Sequence, residues 1–447
     1  MAGIGFELRK ILRRDNLTGI VQAYLYAAVI SSGPWVLSMV GMAFIGGMNL
    51  MLQSPRAYII EFQVTVTYTV VTSLCLTGIL QLGFTRYISD RLFVEKPEEV
   101  IPLFHGALFI TTAVAGVVGS IAAFTLFPDE SLAYRLLVIA GLVIVSNIWI
   151  GVVILSGLRE YLKIVWLFFI GYAISAGAAV MLYDVGVEGL LFGFLLGQLV
   201  LLVGTIALAA RNFPSTRFIS FEFLRRRRMY PSLVATGFVY SLAVWVDKLM
   251  FWHFAPTSTA ILGELRASPV YDLPIFLAHL SIIPGMAVFL MKMETDFVEY
   301  YERFYETVRS GGTLDRIEQL RNEMARSVRS GIYALVKIQA LAGLGLAVAA
   351  PGLFARLGIS PLSLPVLYVC IVAASIQTVL MGVMNVLFYF DRRNATLGLS
   401  LLLLFTNMAF TYASLMAGPS WYGVGYALAM VVTTTVGFLV LDRKIER

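Results

Sequence analysis

Apolar positions in this chain run on instead of alternating with polar ones. Stretches of about 20 residues with few charges follow one another from residue 19 to residue 441, each long enough to cross a hydrocarbon core of ~30 Å. Twelve can be placed, at approximately 19–48, 57–83, 101–127, 132–157, 162–184, 187–210, 231–255, 268–292, 331–354, 364–389, 395–417 and 421–441. Lipid offers no partner to backbone N–H and C=O groups, so runs this long are helices. The predicted fold class is an all-α polytopic membrane protein of about twelve transmembrane helices. Ahead of the first span, Ile4, Leu8, Ile11 and Leu12 share one helical face while Glu7, Arg9, Lys10, Arg13 and Arg14 cover the rest. That pattern predicts an interfacial amphipathic helix over residues 1–18, its basic side toward anionic lipids. The first apolar run is too long and Pro-interrupted for a cleavable signal peptide.

Composition agrees with the pattern. Of 447 residues, 59% are apolar and only 13% charged, about half the charge of an ordinary soluble domain. The formal charge of +6 matters less than its placement. With the N-terminus cytoplasmic, the tails and even-numbered connections hold 27 of the 33 lysines and arginines. The odd-numbered connections hold Arg56, Arg135, Arg266 and Arg356 alone. Both termini are therefore expected in the cytoplasm. The most basic connection, 211–230, contains Arg225 to Arg228 and reads as an anchor on the cytoplasmic leaflet. It lacks the aromatic or Gly-rich interleaving of a nucleic-acid site, so no nucleic-acid partner is expected.

The chain thus divides into six spans (19–210), a basic linker (211–230) and six spans (231–447). Each half has a charged cytoplasmic connection after its second span, Arg86 to Val100 and Lys292 to Ser330. Two six-helix lobes around a central cavity are a common transporter plan. In the longer connection, 293–330, Phe297, Tyr300, Tyr301, Phe304, Tyr305 and Val308 share one face. After Gly311-Gly312, Leu314, Ile317, Leu320, Met324 and Val328 share another. Two short helices are expected there, lying on the membrane or docking a partner.

Ionised groups in hydrocarbon are costly and usually mark a pathway. Asp247 and Lys248 stand side by side in an apolar and aromatic run, Tyr240 to Trp252. Adjacent helical residues point ~100° apart, so the two are expected to pair poorly, and at least one must face the protein interior. Asp272 and His279 share a face of the eighth span between prolines 269, 274 and 284. At 1.5 Å per residue His279 falls about 15 Å in, and Asp247 roughly 11 Å below the outer surface. In span two, Glu61, Thr65, Tyr68, Thr69, Thr72 and Ser73 give one wettable face, unless the hydroxyls bond their own backbone carbonyls. Gln377, Thr378 and Asn385 in span ten serve either interhelical hydrogen bonds or substrate. The candidate cavity residues are therefore Glu61, Tyr68, Thr72, Asp247, Lys248, Asp272, His279, Gln377 and Asn385. Ser31-Ser32-Gly33-Pro34 must kink the first span, making Gly33 and Pro34 the candidate hinge. A rival reading has Lys248 snorkelling outward and Asp247 in a structural pair with another span.

No catalytic constellation is visible. No lysine follows a glycine, so there is no phosphate-binding loop; HExxH and CxxC spacings are absent, and the three histidines are scattered. Neither metal nor cofactor is expected. Cys75 and Cys370 both lie inside spans and read as small apolar residues.

Met1-Ala-Gly-Ile-Gly-Phe-Glu-Leu-Arg-Lys10, Ile30-Ser-Ser-Gly-Pro-Trp35, Trp245-Val-Asp-Lys-Leu-Met-Phe-Trp252 and the run Tyr271 to Leu290 followed by Met293-Glu-Thr-Asp-Phe297 carry a resemblance. Over essentially its whole length the chain resembles the PelG proteins, membrane transport components of Pel exopolysaccharide systems. The resemblance implies the flippase superfamily of polysaccharide and multidrug exporters, two six-helix lobes around a V-shaped cavity, and alternating access. It also implies a bacterial inner-membrane assembly with a cytoplasmic Pel glycosyltransferase, a cyclic-di-GMP-receptor membrane subunit and a helical-repeat membrane subunit. In that superfamily spans one, two, seven and eight line the cavity, which agrees with Glu61, Asp247, Lys248, Asp272 and His279. The expected function is export of a polysaccharide substrate, with a membrane-embedded polymerase or a non-transporting scaffold as rivals. Proton coupling, an ion gradient and pushing by polymerisation all stay open as energy sources.

Overall fold

The computed structural model describes residues 56–156, 161–225, 230–357 and 359–445, together with Ala27 and Gly41. The expected interfacial helix, the first span, the Gly33–Pro34 hinge and Arg226 to Arg228 lie outside the described residues. From Arg56 onward the described chain is almost entirely helical: α1 (Arg56–Phe93), α2 (Val100–Leu126), α3 (Leu132–Ser156), α4 (Tyr161–Met181), α5 (Val187–Asn212) and α6 (Pro231–His253). A two-stranded antiparallel hairpin, β1 (Thr259–Leu262) and β2 (Leu265–Ala267), comes next. Then come α7 (Asp272–Leu280), α8 (Ile283–Met291), a π-helical turn (Lys292–Phe297), α9 (Val298–Arg309), α10 (Leu314–Leu357), α11 (Leu364–Tyr389), α12 (Arg393–Ala417) and α13 (Val424–Ile445). Among the described residues, eleven segments are long and apolar enough to span a membrane, α7 with α8 counting as one.

The chain forms two compact units. Among the described residues, one takes 56–245 and Trp252–Ser268; the other takes Val246–Phe251 and 269–445. Helix α6 contributes to both.

In the first unit, small residues let helix backbones touch, which is how helices associate where lipid is as apolar as leucine. A Cβ on Gly237 of α6 would lie 2.1 Å from the carbonyl oxygen of Gly78 in α1, and one on Gly78 2.8 Å from that of Gly237. On α5, Gly193 and Gly197 are spaced one turn apart against α4; a Cβ on Gly197 would meet the Gly171 oxygen at 2.2 Å. Phe62, Tyr134, Leu190 and Phe194 form a buried core nearby. Just ahead of α6, Tyr230 donates to Asp90 Oδ2 at 2.6 Å. That donation, and then burial, hold the phenol above its ordinary pKa.

The expected wettable face of the second span is not one face. Thr65 and Ser73 are buried. Thr65 bonds the Glu61 carbonyl at 2.7 Å and the Tyr134 hydroxyl at 2.8 Å, while Ser73 accepts from Trp149 Nε1 at 3.0 Å. Thr69 donates back to the Thr65 carbonyl at 2.8 Å. The hydroxyls are used up locally, as Ser and Thr commonly are inside helices. Asn147 is likewise spent on Thr112 Oγ1 at 2.8 Å and the Val143 carbonyl at 2.9 Å.

In the second unit the eighth span is broken. Helix α7 ends at Leu280 and α8 begins at Ile283, with Pro284 in its first turn. Proline has no N–H to continue the ladder, so the interruption follows from sequence. Gln339 of α10 braces the break, donating to the Ser281 carbonyl and to Ser375 Oγ, both at 3.2 Å. A further difference concerns the loop at 293–330. Its second predicted short helix is no separate element but the start of the 44-residue α10, because Leu320, Met324 and Val328 keep a buried stripe that runs on without a breaker.

Candidate functional site

Both buried charged side chains among the described residues lie in the second unit: Asp247 is fully buried and Lys248 is 5% exposed. They lie within the last two turns of α6. The neighbours make a loose pair: Lys248 Nζ sits 3.3 Å from Asp247 Oδ2 and 3.4 Å from Oδ1. Helix geometry separates the two Cβ atoms but not the head groups, since the four-carbon lysine stem can bend back. Nor does Lys248 snorkel outward. These distances are long for a charge-assisted hydrogen bond, which is typically ~2.7–2.9 Å. The shorter contact is the Tyr271 hydroxyl, which donates to Asp247 Oδ2 at 2.6 Å. Asn407 of α12 approaches Oδ1 with its amide nitrogen at 3.4 Å and accepts from Thr411 Oγ1 at 3.0 Å.

An aromatic shell encloses the pair. Phe251, one turn on from Asp247, stacks on Tyr271 with centroids 3.9 Å apart and planes 2° from parallel, and Tyr422 meets it edge-on at 5.4 Å. Lys248 Nζ lies 5.2 Å from the centre of the Tyr426 ring, within cation–π reach. The Tyr426 hydroxyl donates to Gln377 Oε1. His279 donates from Nδ1 to the Ile275 carbonyl at 2.8 Å, an acceptor only, which leaves Nε2 for other partners. Lys248, Asp247 and Gln377 are its electrostatic neighbours. His279 and Gln377 are half-buried, so the network grades from a sealed centre to a more accessible edge.

Four candidates named from sequence, Asp247, Lys248, His279 and Gln377, thus belong to one network. Asp272, half-buried, opens α7 beside Tyr271. Asn385 lies two turns beyond Gln377 on α11, its Oδ1 buried without a hydrogen-bond partner. Thr378 donates to its own helix at Ala374. Glu61, Tyr68 and Thr72 lie in the first unit and do not enter this network: Glu61 is half-buried and Thr72 exposed. Tyr68 stacks on Trp252 at 4.6 Å and donates to the Arg266 carbonyl of β2 at 3.0 Å. Sequence reasoning missed Tyr271, Asn407 and Tyr426. Asn407 carried the same signal as Gln377, an amide inside an apolar run, whereas the tyrosines read as ordinary interface aromatics. No group of three or more His, Cys, Asp or Glu side chains that could hold a metal is found among the described residues.

One full negative and one full positive charge, neutral donors and acceptors, and several ring faces give a site with little net charge.

The architecture is shared with known transporters. A multidrug resistance MATE family transporter of the MOP superfamily in an outward-facing conformation is similar over 95% of each chain, at 15% identity and a TM-score of 0.70. A MATE protein in a bent conformation covers 99% of this chain and 97% of its own, at 16% identity and a TM-score of 0.67. A MOP superfamily transporter from Pyrococcus furiosus, reported with reversed polarity of its binding pocket, covers 95% of both chains at 14% identity and a TM-score of 0.66. The molecule is therefore a multi-pass membrane protein with the two-lobed transporter fold of that superfamily. No curated protein matches its sequence. Residues 1–447 match the family described as "PelG: Putative exopolysaccharide Exporter (EPS-E)", and the chain belongs to that family. It is a transporter, not an enzyme.

Proposed function

We propose that this chain is the inner-membrane translocator of a Pel-type exopolysaccharide, accepting polymer from a cytoplasmic glycosyltransferase and releasing it to the periplasm. The lobes correspond to spans 19–210 and 231–447, joined by the basic linker, with both termini cytoplasmic as the Lys and Arg asymmetry requires. A cyclic-di-GMP-receptor subunit and a helical-repeat membrane subunit complete the assembly. The observation that carries this reading is the ionic network on α6, α7, α11, α12 and α13 of an exporter family member. Buried charge inside a span is costly and is kept where function needs it. A carbohydrate needs hydrogen-bond donors and acceptors together with aromatic faces, and the half-buried edge of this network supplies both through His279, Gln377 and their tyrosine neighbours. Asp247 then acts from behind, holding Lys248 and Tyr271 in place as the lobe changes shape.

The test is export in cells carrying Asp247→Asn, with membrane abundance measured in parallel. The expected outcome is a loss of extracellular polymer of tenfold or more at normal abundance. Normal export by this variant would reduce the network to a packing device.

A further inference from the structure

Helix α10 has 44 residues, about 66 Å at 1.5 Å per residue. A bilayer with its headgroups is ~40–45 Å thick, so about 20 Å of α10 must stand beyond the headgroups. Even a tilt of 40°, the upper end for membrane helices, leaves it protruding. The surplus is the end that begins at Leu314, since the apolar run of α10 is 331–354 and residues 314–330 are rich in charge. Helix α9 runs back alongside, joined through Gly311, whose φ of +73° suits glycine. The hairpin is rooted by aromatic packing: Phe297 meets Tyr389 edge-on at 5.2 Å, and Tyr301 donates to the Tyr389 carbonyl at 3.1 Å. Its far end is a rigid projection.

Charge separates this projection from every lipid-facing anchor. Residues 211–230 carry six arginines and one glutamate; residues 293–330 carry six arginines and eight acidic groups. Several of the hairpin arginines are engaged within it or beside it: Arg303 with Glu299, Arg316 with Gln319, Arg329 with Asp442. The side chains of Glu302, Glu306, Asp315 and Glu318 make no such contact among the described residues. An anionic leaflet attracts basic segments and repels this one. At the same end Tyr305, Val308 and Leu314 are 38%, 45% and 70% exposed, although they stand outside any hydrocarbon.

We propose that the tip of the α9–α10 hairpin is the docking surface for the soluble enzyme that makes the polymer, through an apolar centre of Tyr305, Val308 and Leu314 within an acidic rim. This rests on the translocator reading. A chain that exports polysaccharide without synthesising it must be supplied by glycosyl transfer from activated sugars on the cytoplasmic side. A flexible polar polymer is passed on efficiently only if its source is held at the entrance. The partner's contacting face is correspondingly apolar at its centre and rich in Lys or Arg at its edge.

The experiment places a photo-crosslinking amino acid at position 305, 308 or 314 of the full chain in cells expressing the complete system, and identifies the adduct and its attached peptide by mass spectrometry. The expected result is a crosslink to a glycosyltransferase within a Lys- or Arg-rich surface. Glu302→Lys/Glu306→Lys/Glu318→Lys should weaken it at least fivefold at unchanged membrane abundance. Adducts with lipid, with a second copy of this chain, or with no protein would overturn the proposal. So would a glycosyltransferase crosslink indifferent to the charge reversals. Failure here with Asp247→Asn still blocking export removes only the docking surface. An intact crosslink with Asp247→Asn exporting normally removes only the role of the ionic network in the pathway.

Discussion

The two units solve the same problem, holding helices together in lipid, by different chemistry. The first relies on backbone approach at Gly78, Gly193, Gly197 and Gly237 and on hydroxyls that close short local bonds, as Thr65 and Thr69 do. Its buried polar residues are uncharged among the described residues. The second carries a carboxylate and an ammonium at its centre and surrounds them with groups drawn from five helices and the turn before α7. Close packing is satisfied in one arrangement and tolerates little else. An ionic network with several partners at 2.6–3.4 Å can exchange partners as its helices shift. The contrast teaches where rearrangement is cheap: in the second unit, around Asp247.

The largest effect should come from Asp247→Ala, which removes the carboxylate facing the buried Lys248 ammonium. Breaking a buried pair on one side costs roughly 3–5 kcal/mol, and the thermal unfolding midpoint of the purified protein should fall by several degrees. Asp247→Ala/Lys248→Met should recover most of that loss. A double variant as unstable as the single one would mean that the pair is not the source of the effect. Next comes Gly237→Leu in the first unit, where a Cβ has no room beside the Gly78 carbonyl. Overpacking of this kind typically costs about 1–3 kcal/mol, with no companion substitution able to restore it by charge. If unfolding is unchanged, the backbone contact between α1 and α6 is not what holds that unit. The smallest effect is Thr65→Val, which removes the bond to its own helix at Glu61 and leaves the Tyr134 hydroxyl without that partner. A loss of about 1 kcal/mol is expected with export retained; a large loss of export would move Thr65 from packing into the pathway.

How much of this was readable from sequence differs by feature. The predicted spans from 101–127 onward agree with helix boundaries mostly within a few residues, for example 132–157 against Leu132–Ser156 and 364–389 against Leu364–Tyr389. Asp247 and Lys248 stood out because charge in an apolar run is visible without coordinates. Their mutual contact was not, since it depends on how one flexible side chain bends. Tyr271, Asn407 and Tyr426 escaped because ordinary residue types became important only through neighbours 24 to 178 positions away. The merging of the second predicted loop helix into α10 escaped for another reason: Ser330 and Gly331 mark the edge of the apolar run without breaking the helix.

By itself the sequence determined that this is a membrane protein and where most of its spans lie. Those properties follow from single segments meeting lipid and water, and a local apolar run suffices to specify them. Only tertiary structure decided that the Asp247 carboxylate is bonded by Tyr271 and approached by Lys248 and Asn407, that Thr65 meets Tyr134, and that α10 runs unbroken from Leu314 to Leu357. Each is a matter of which side chains meet across helices, and in a medium where every helix surface is apolar, the sequence of one helix does not say which neighbour it will touch.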